Sequence, residues 1–148
     1  MADGYRGLMH AASTDVEAIR TLAAAGVEGH AESIGYHAQQ AAEKMLKGAF
    51  ESRDIDFPFT HNIQLLLVRG QREGLFGEIP EAVTEAALYL SGLISITRYA
   101  EAPDFQEGEA RRAIESANKV AIFLAENGFD SIIVSVDTAE GEAAAPTS

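Results

Sequence analysis

The segment "PEAVTEAALYLSGLISITRYA", residues 80–100, restricts the fold more than any other stretch of the chain. Pro80 suits the first turn of a helix, where its missing N–H removes nothing. From there apolar residues recur on nearly every side. Only Thr84, Ser91, Ser95 and Arg98 mark a thin polar strip, and Leu88 interrupts it. A helix that is apolar almost all round needs partners on more than one side. It belongs at the centre of a helical bundle or in a subunit interface.

The rest of the chain supplies such partners. Val16, Ile19, Leu22 and Ala23 form a stripe that stops at Gly26, with Thr14 and Glu17 spaced as a capping box and a helical stretch reaching back toward Tyr5. Residues 30–52 read as a long second helix, ended by "SRDIDFPF", where Pro58 biases Phe57 away from helical backbone. Thr60 is the expected N-cap of a short third helix, "HNIQLLLVRGQRE", and Asn62 serves the same helix start. A fifth helix spans about Glu107 to Asn127, with Gly128 as its stop. The expected fold is all-α, an up-down bundle of four or five helices over residues 1–128. Residues 129–148 are expected to form an extended arm, "SIIVSV", that packs alone or pairs with another chain, and then a disordered acidic tail.

Composition narrows the function. With 148 residues and 47% hydrophobic content, the chain reads as a single globular domain. No apolar run approaches the roughly 20 residues needed to span a bilayer. The start "MADGYRGLMH" lacks the features of a signal peptide, so a cytoplasmic protein is expected. Having no Cys, the chain has no disulfide, thiol nucleophile or thiolate metal site. The net charge of −12 argues against non-specific nucleic-acid binding, because phosphate affinity accumulates from Lys and Arg. That charge is uneven: residues 30–72 hold five acids, five bases and three of the four His, whereas residues 73–148 hold fourteen acids and four bases. An anion would have to be met in the middle third.

The second helix carries an unusual polar row there. In "YHAQQAAEKMLKG", Ala38, Ala41, Ala42, Met45 and Leu46 make the apolar stripe, while Gln40, Lys44 and Lys47 share another face with Glu43 beside them and His37 two turns before Lys44. His61 follows just after the helix. One reading is a solvated face with ordinary ion pairs to Glu43 and Glu51. The other is a shallow cationic groove for a phosphate or an acidic partner segment, with His61 beside a helix start whose N–H groups favour anions. His61 has its own bland reading, a hydrogen bond that fixes the loop, and Arg98 one as a cation at a helix C-terminus. Asp54, Asp56 and His61 straddle a loop without metal-ligand spacing, and no phosphate loop or nucleophile elbow is present. No metal or cofactor is expected.

The ordered run "GYHAQQAAEKMLKG", "FTHNIQLLL" and "ISITRYAEAPDF" resembles the HEPN domain (higher eukaryotes and prokaryotes nucleotide-binding), over roughly residues 5–125. The resemblance implies a four- or five-helix bundle, often dimeric and frequently encoded beside a minimal nucleotidyltransferase. Some branches are metal-independent ribonucleases that use an Arg followed after four to six residues by His. Arg98 matches that Arg, but "YAEAPDFQEGE" follows it and contains no His. Arg98 alone can orient a phosphate but cannot shuttle a proton. The expectation is therefore a non-catalytic, homodimeric subunit of a toxin–antitoxin-like pair. It would bind a nucleotide-sized anion, a partner nucleotidyltransferase or both, through Gln40, Lys44, Lys47, His61 and Arg98, with no catalytic residue. Two alternatives stand beside it: a ribonuclease toxin with a degenerate motif, in which Arg98 works with His61, and a dimeric scaffold without a ligand.

Overall fold

A computed structural model describes residues 2–98 and 105–136, and the side chains of these except 2, 3 and 94–98. It contains α1 (Ala2–Gly26), α2 (Ala31–Ser52), α3 (Ile63–Arg72), α4 (Glu81–Arg98) and α5 (Glu107–Glu126), with a single 3₁₀ turn, Glu28–His30, between α1 and α2. The fold is the all-α bundle expected. No helix among the described residues is long and apolar enough to cross a membrane.

The hub is α2 rather than α4: it packs against every other helix, whereas α4 touches α2, α3 and α5. Small residues explain this. Ala38, Ala41 and Ala42 are fully buried, so neighbouring helices approach the α2 backbone closely. At Gly35 a Cβ would come within 2.6 Å of the Phe105 ring, so only glycine fits there. The bulky residues of α4 divide: Leu90 and Leu93 are buried, while Leu88 is half exposed.

Two helix starts differ from the sequence reading. α1 runs unbroken through Thr14, whose hydroxyl donates to the His10 carbonyl one turn back at 3.1 Å. The expected capping box is absent because the helix began twelve residues earlier. α3 is capped by Asn62, whose side chain accepts from Leu65 N–H at 3.0 Å, while Thr60 accepts from Asn62 N–H. Thr60 thus shapes the turn before the cap.

α5 ends as expected. Gly128 adopts φ 88°, its N–H donates to the Ala125 carbonyl, and Phe129 N–H donates to Leu124, the paired bonds of a Schellman motif. Phe129 then packs edge-on against Phe76, which in turn meets Phe123. The arm packs along the bundle up to residue 136. The expected acidic tail, residues 137–148, lies outside the described residues.

Candidate functional site

The polar residues of α2 form two adjoining clusters, each built on a buried carboxylate. Seven residues is close to two helical turns, so His37 and Lys44 stand in line and both face α1. There Asp15 lies on the apolar side of α1, between Ala12 and Ile19, and is buried. Its Oδ1 meets His37 Nδ1 at 2.8 Å and its Oδ2 meets Lys44 Nζ at 2.7 Å. An ionised carboxylate only accepts, so His37 presents its Nδ1–H to Asp15 and leaves Nε2 as the free ring nitrogen.

The second cluster surrounds Glu43. Gln39, one turn earlier on α2, donates Nε2–H to Glu43 Oε1 at 2.9 Å, and Lys47, one turn later, donates to Oε2 at 2.9 Å. His61 Nδ1 lies 3.0 Å from Oε2 and 3.2 Å from Oε1. Gln39 Nε2 also reaches the His61 carbonyl at 3.3 Å, and its own carbonyl oxygen accepts from Gln40 at 2.7 Å. Burial pushes the Glu43 carboxyl up. The hydrogen bonds from Lys47 and Gln39, the Lys47 charge and the His61 contact outweigh it, and hold the group below its ordinary value. Among the described residues no buried polar side-chain atom lacks a partner.

This geometry sorts the residues singled out in the sequence. Gln40, Lys47 and His61 share one network through Gln39 and Glu43. Lys44 belongs to the other cluster, across the helix toward α1. The Arg98 side chain lies outside the described residues, as does all of Glu101. Neither Lys44 nor Lys47 presents a free ammonium: their side chains are 26% and 12% exposed, and each ends on a carboxylate. The N–H groups at the start of α3 are also taken. Ile63 and Gln64 donate to Ser91 Oγ of α4, and Leu65 and Leu66 donate to Asn62. The unpaired helix start expected beside His61 is therefore closed. What remains open is the outer edge of the His61 ring, 62% exposed, and Phe59, fully exposed two residues before it.

Sequence reading missed Asp15 and Gln39. A signal existed for Asp15, an acid at helical spacing within the stripe Ala12, Val16, Ile19. Such an acid must be buried and so must find cations on the next helix. Gln39 offered a partial signal, its i,i+4 spacing to Glu43, but its second bond, to the His61 carbonyl, depends on a loop that the fold brings back.

Away from this region, Tyr5, Arg53, Asp54 and Phe129 line a cleft of about 470 Å³. The Tyr5 hydroxyl donates to Asp130 there, and burial together with that carboxylate raises its pKa to about 12. Arg53 stacks on Phe129, 4.5 Å from the ring centroid.

A five-helix bundle whose second helix carries Gln, Glu and Lys, clasped by a Thr-His at the start of the third, defines a specific class of all-α domain. The HEPN domain family matches residues 5–127, and the chain belongs to it. Among solved structures, TT1696 from Thermus thermophilus is 27% identical, with a TM-score of 0.68 over 83% of this chain and 97% of that one. ST0689, an archaeal HEPN homologue, is 22% identical, with a TM-score of 0.63 over 82% of this chain and 95% of that one. None of the curated proteins matches the chain.

Proposed function

We propose that this chain is a non-catalytic HEPN subunit of the cytoplasm that works by binding, as a homodimer and against a partner of the minimal nucleotidyltransferase class, in a toxin–antitoxin-like pair. One observation carries the reading. Arg98, the Arg that matches the ribonuclease motif, is followed by no His at that motif's spacing, and the two lysines of the central motif are held by carboxylates. A site built for cleavage needs free charge and a proton shuttle. A binding surface needs exposed anchors, and exposed apolar ones are supplied by Phe59, two residues before His61, and by Leu65 and Val68 of α3, the helix that follows it. A nucleotide-sized anion would meet His61 and displace one carboxylate contact of Lys47, which favours weak, salt-sensitive binding.

The test is co-purification and calorimetry with the nucleotidyltransferase encoded nearest the gene, run beside melting shifts with AMP and ATP. Tight complex formation that Phe59→Ser weakens at least tenfold is the expected result. No complex and no nucleotide shift would leave the plain scaffold.

A second reading has one specific observation behind it. His61 is backed by a buried carboxylate with its other ring nitrogen open, the arrangement of an oriented proton acceptor. A ribonuclease using His61 with Arg98 would cleave single-stranded RNA and lose that activity in both His61→Ala and Arg98→Ala. The expected result is no cleavage by the purified chain.

A further inference from the structure

The segment "SIIVSV", residues 131–136, lies beyond the family match and runs as a strap over the bundle. Asn118 of α5 holds Val134 through its backbone: Oδ1 accepts from the Val134 N–H at 2.7 Å, and Nδ2 donates to its carbonyl at 3.0 Å. A residue whose N–H and C=O point the same way is extended, and here the Asn118 amide takes the place of a neighbouring strand's peptide. The Ile132 N–H is directed likewise into the body, to Met45 Sδ at 3.2 Å. Burial alternates in step. Ile132, Val134 and Val136 pack on the core, while Ile133 and Ser135 are exposed.

In an extended chain the intervening residues direct their N–H and C=O to the opposite edge. Among the described residues, Ser131, Ile133 and Ser135 make no backbone hydrogen bond. Among the described residues the strap is thus a lone extended segment with one edge satisfied by side chains and the other open. The usual protections of an open edge are missing, since residues 131–136 contain no charge, Pro or Gly. Ile122, one turn beyond Asn118 on α5, adds a half-exposed apolar side chain to this side of the bundle.

We propose that this open edge pairs with the same edge of a second copy, antiparallel across a two-fold axis. The occupant is a second copy because the segment complements itself. With Ile133 opposite Ile133, the outward-bonding residues fall in register, Ser131 faces Ser135, and Asp130 faces Val136. No acid then faces an acid, which matters between two chains that each carry a net charge of −12. The pairing deepens the homodimer of the proposed function and rests on it.

Because the chain has no Cys, a single introduced one reports unambiguously. In a hydrogen-bonded antiparallel pair the Cα atoms lie about 5.5 Å apart, within disulfide reach. Under mild oxidation of the full chain, Ile133→Cys is expected to cross-link into a covalent dimer. Ser131→Cys sits four residues out of register with its own copy, roughly 13 Å away, and should cross-link at least tenfold less. Light scattering at tens of micromolar should give two chains for the unaltered protein and one for Ile133→Pro, which removes an outward N–H. Equal cross-linking of the two Cys variants, or none in Ile133→Cys, overturns the pairing. A dimer that survives Ile133→Pro overturns it too, while leaving the homodimer to another face. A monomeric unaltered chain overturns both.

Discussion

The two carboxylate clusters on α2 use the same parts, one acid, one Lys and one His, yet they differ in what surrounds the acid. Asp15 is buried, but its partners Lys44 and His37 keep about a quarter of their side chains in solvent. Either can turn to water if the acid is lost. Around Glu43 the Lys partner is nearly enclosed, and Gln39, which shares the carboxylate, is fully buried. Only His61 leads outward. The first cluster clips two long helices that already share an extensive apolar seam. The second holds the loop before α3, which has far less apolar contact to secure it. Equal chemistry therefore carries unequal weight, and burial of the cation decides how much.

The largest expected effect follows directly. Glu43→Ala strands the nearly enclosed Lys47 ammonium and takes one of the two acceptors from the buried Gln39 Nε2. Breaking one side of a buried pair costs about 3–5 kcal/mol, which corresponds to a melting temperature lower by roughly 10 °C for a domain of this size. Asp15→Ala should cost about 1–2 kcal/mol, since Lys44 and His37 regain solvent. Thermal and urea unfolding of the two variants checks the order. An Asp15 variant as damaged as the Glu43 variant would erase the distinction between the clusters.

Lys47→Ala is the next break. With the two lysines read as a solvated row, both alanine variants should be nearly silent for stability. The geometry predicts otherwise for Lys47, because its removal leaves Glu43 buried with only Gln39 and His61, at a cost of about 2 kcal/mol. Lys44→Ala should cost less, and a larger loss in Lys44→Ala would invert the comparison.

How much of this was legible in the sequence depends on range. Helix number and order followed from local periodicity, from Gly26 and Gly128 and from the Pro58 and Pro80 breaks. Those signals act within a few residues, and the C-terminal ends they gave for α1, α2, α3 and α5 agree with the fold to within a residue or two. Hydrophobicity leaves α4 either central or in a subunit interface, and α4 does pack on three helices, but closeness of approach, set by the alanines and Gly35 of α2, makes α2 the hub. The motif residues were visible, but their pairing was not. Asp15 lies 29 positions before Lys44, and nothing local says that an ammonium on one helix ends on an acid of another. Open cations and compensated cations look alike in a sequence.

A pH series sharpens the same contrast. The Glu43 carboxyl is held below its ordinary value in the folded state, so the unfolded chain binds more protons as pH falls. Its contribution is therefore fully present above the unfolded value near 4.5 and is lost as pH falls through the depressed folded value. Stability of the unaltered chain should drop across this acid window more steeply than that of Glu43→Gln, which has no proton to take up. Parallel acid limbs for the two proteins would show that the Glu43 proton is not linked to folding.

The smallest expected effect is the most informative about function. His61→Gln preserves a donor that can reach Glu43, and the imidazole it replaces is largely in solvent. Exposed pairs contribute about 0–1 kcal/mol, so the melting temperature should move by no more than a few degrees. His37→Gln, at the less exposed histidine, should move it further. The informative measurement is made on the same His61→Gln protein with the nucleotidyltransferase proposed as its partner or with AMP. A residue that only fastens a loop changes stability and binding together, in proportion. A residue at a binding surface changes binding while stability stays level. At least a tenfold loss of affinity with an unmoved melting curve would mark His61 as the point where the Glu43 cluster meets a ligand or partner. Unchanged affinity would make the cluster, for all its family pattern, a clasp between α2 and α3.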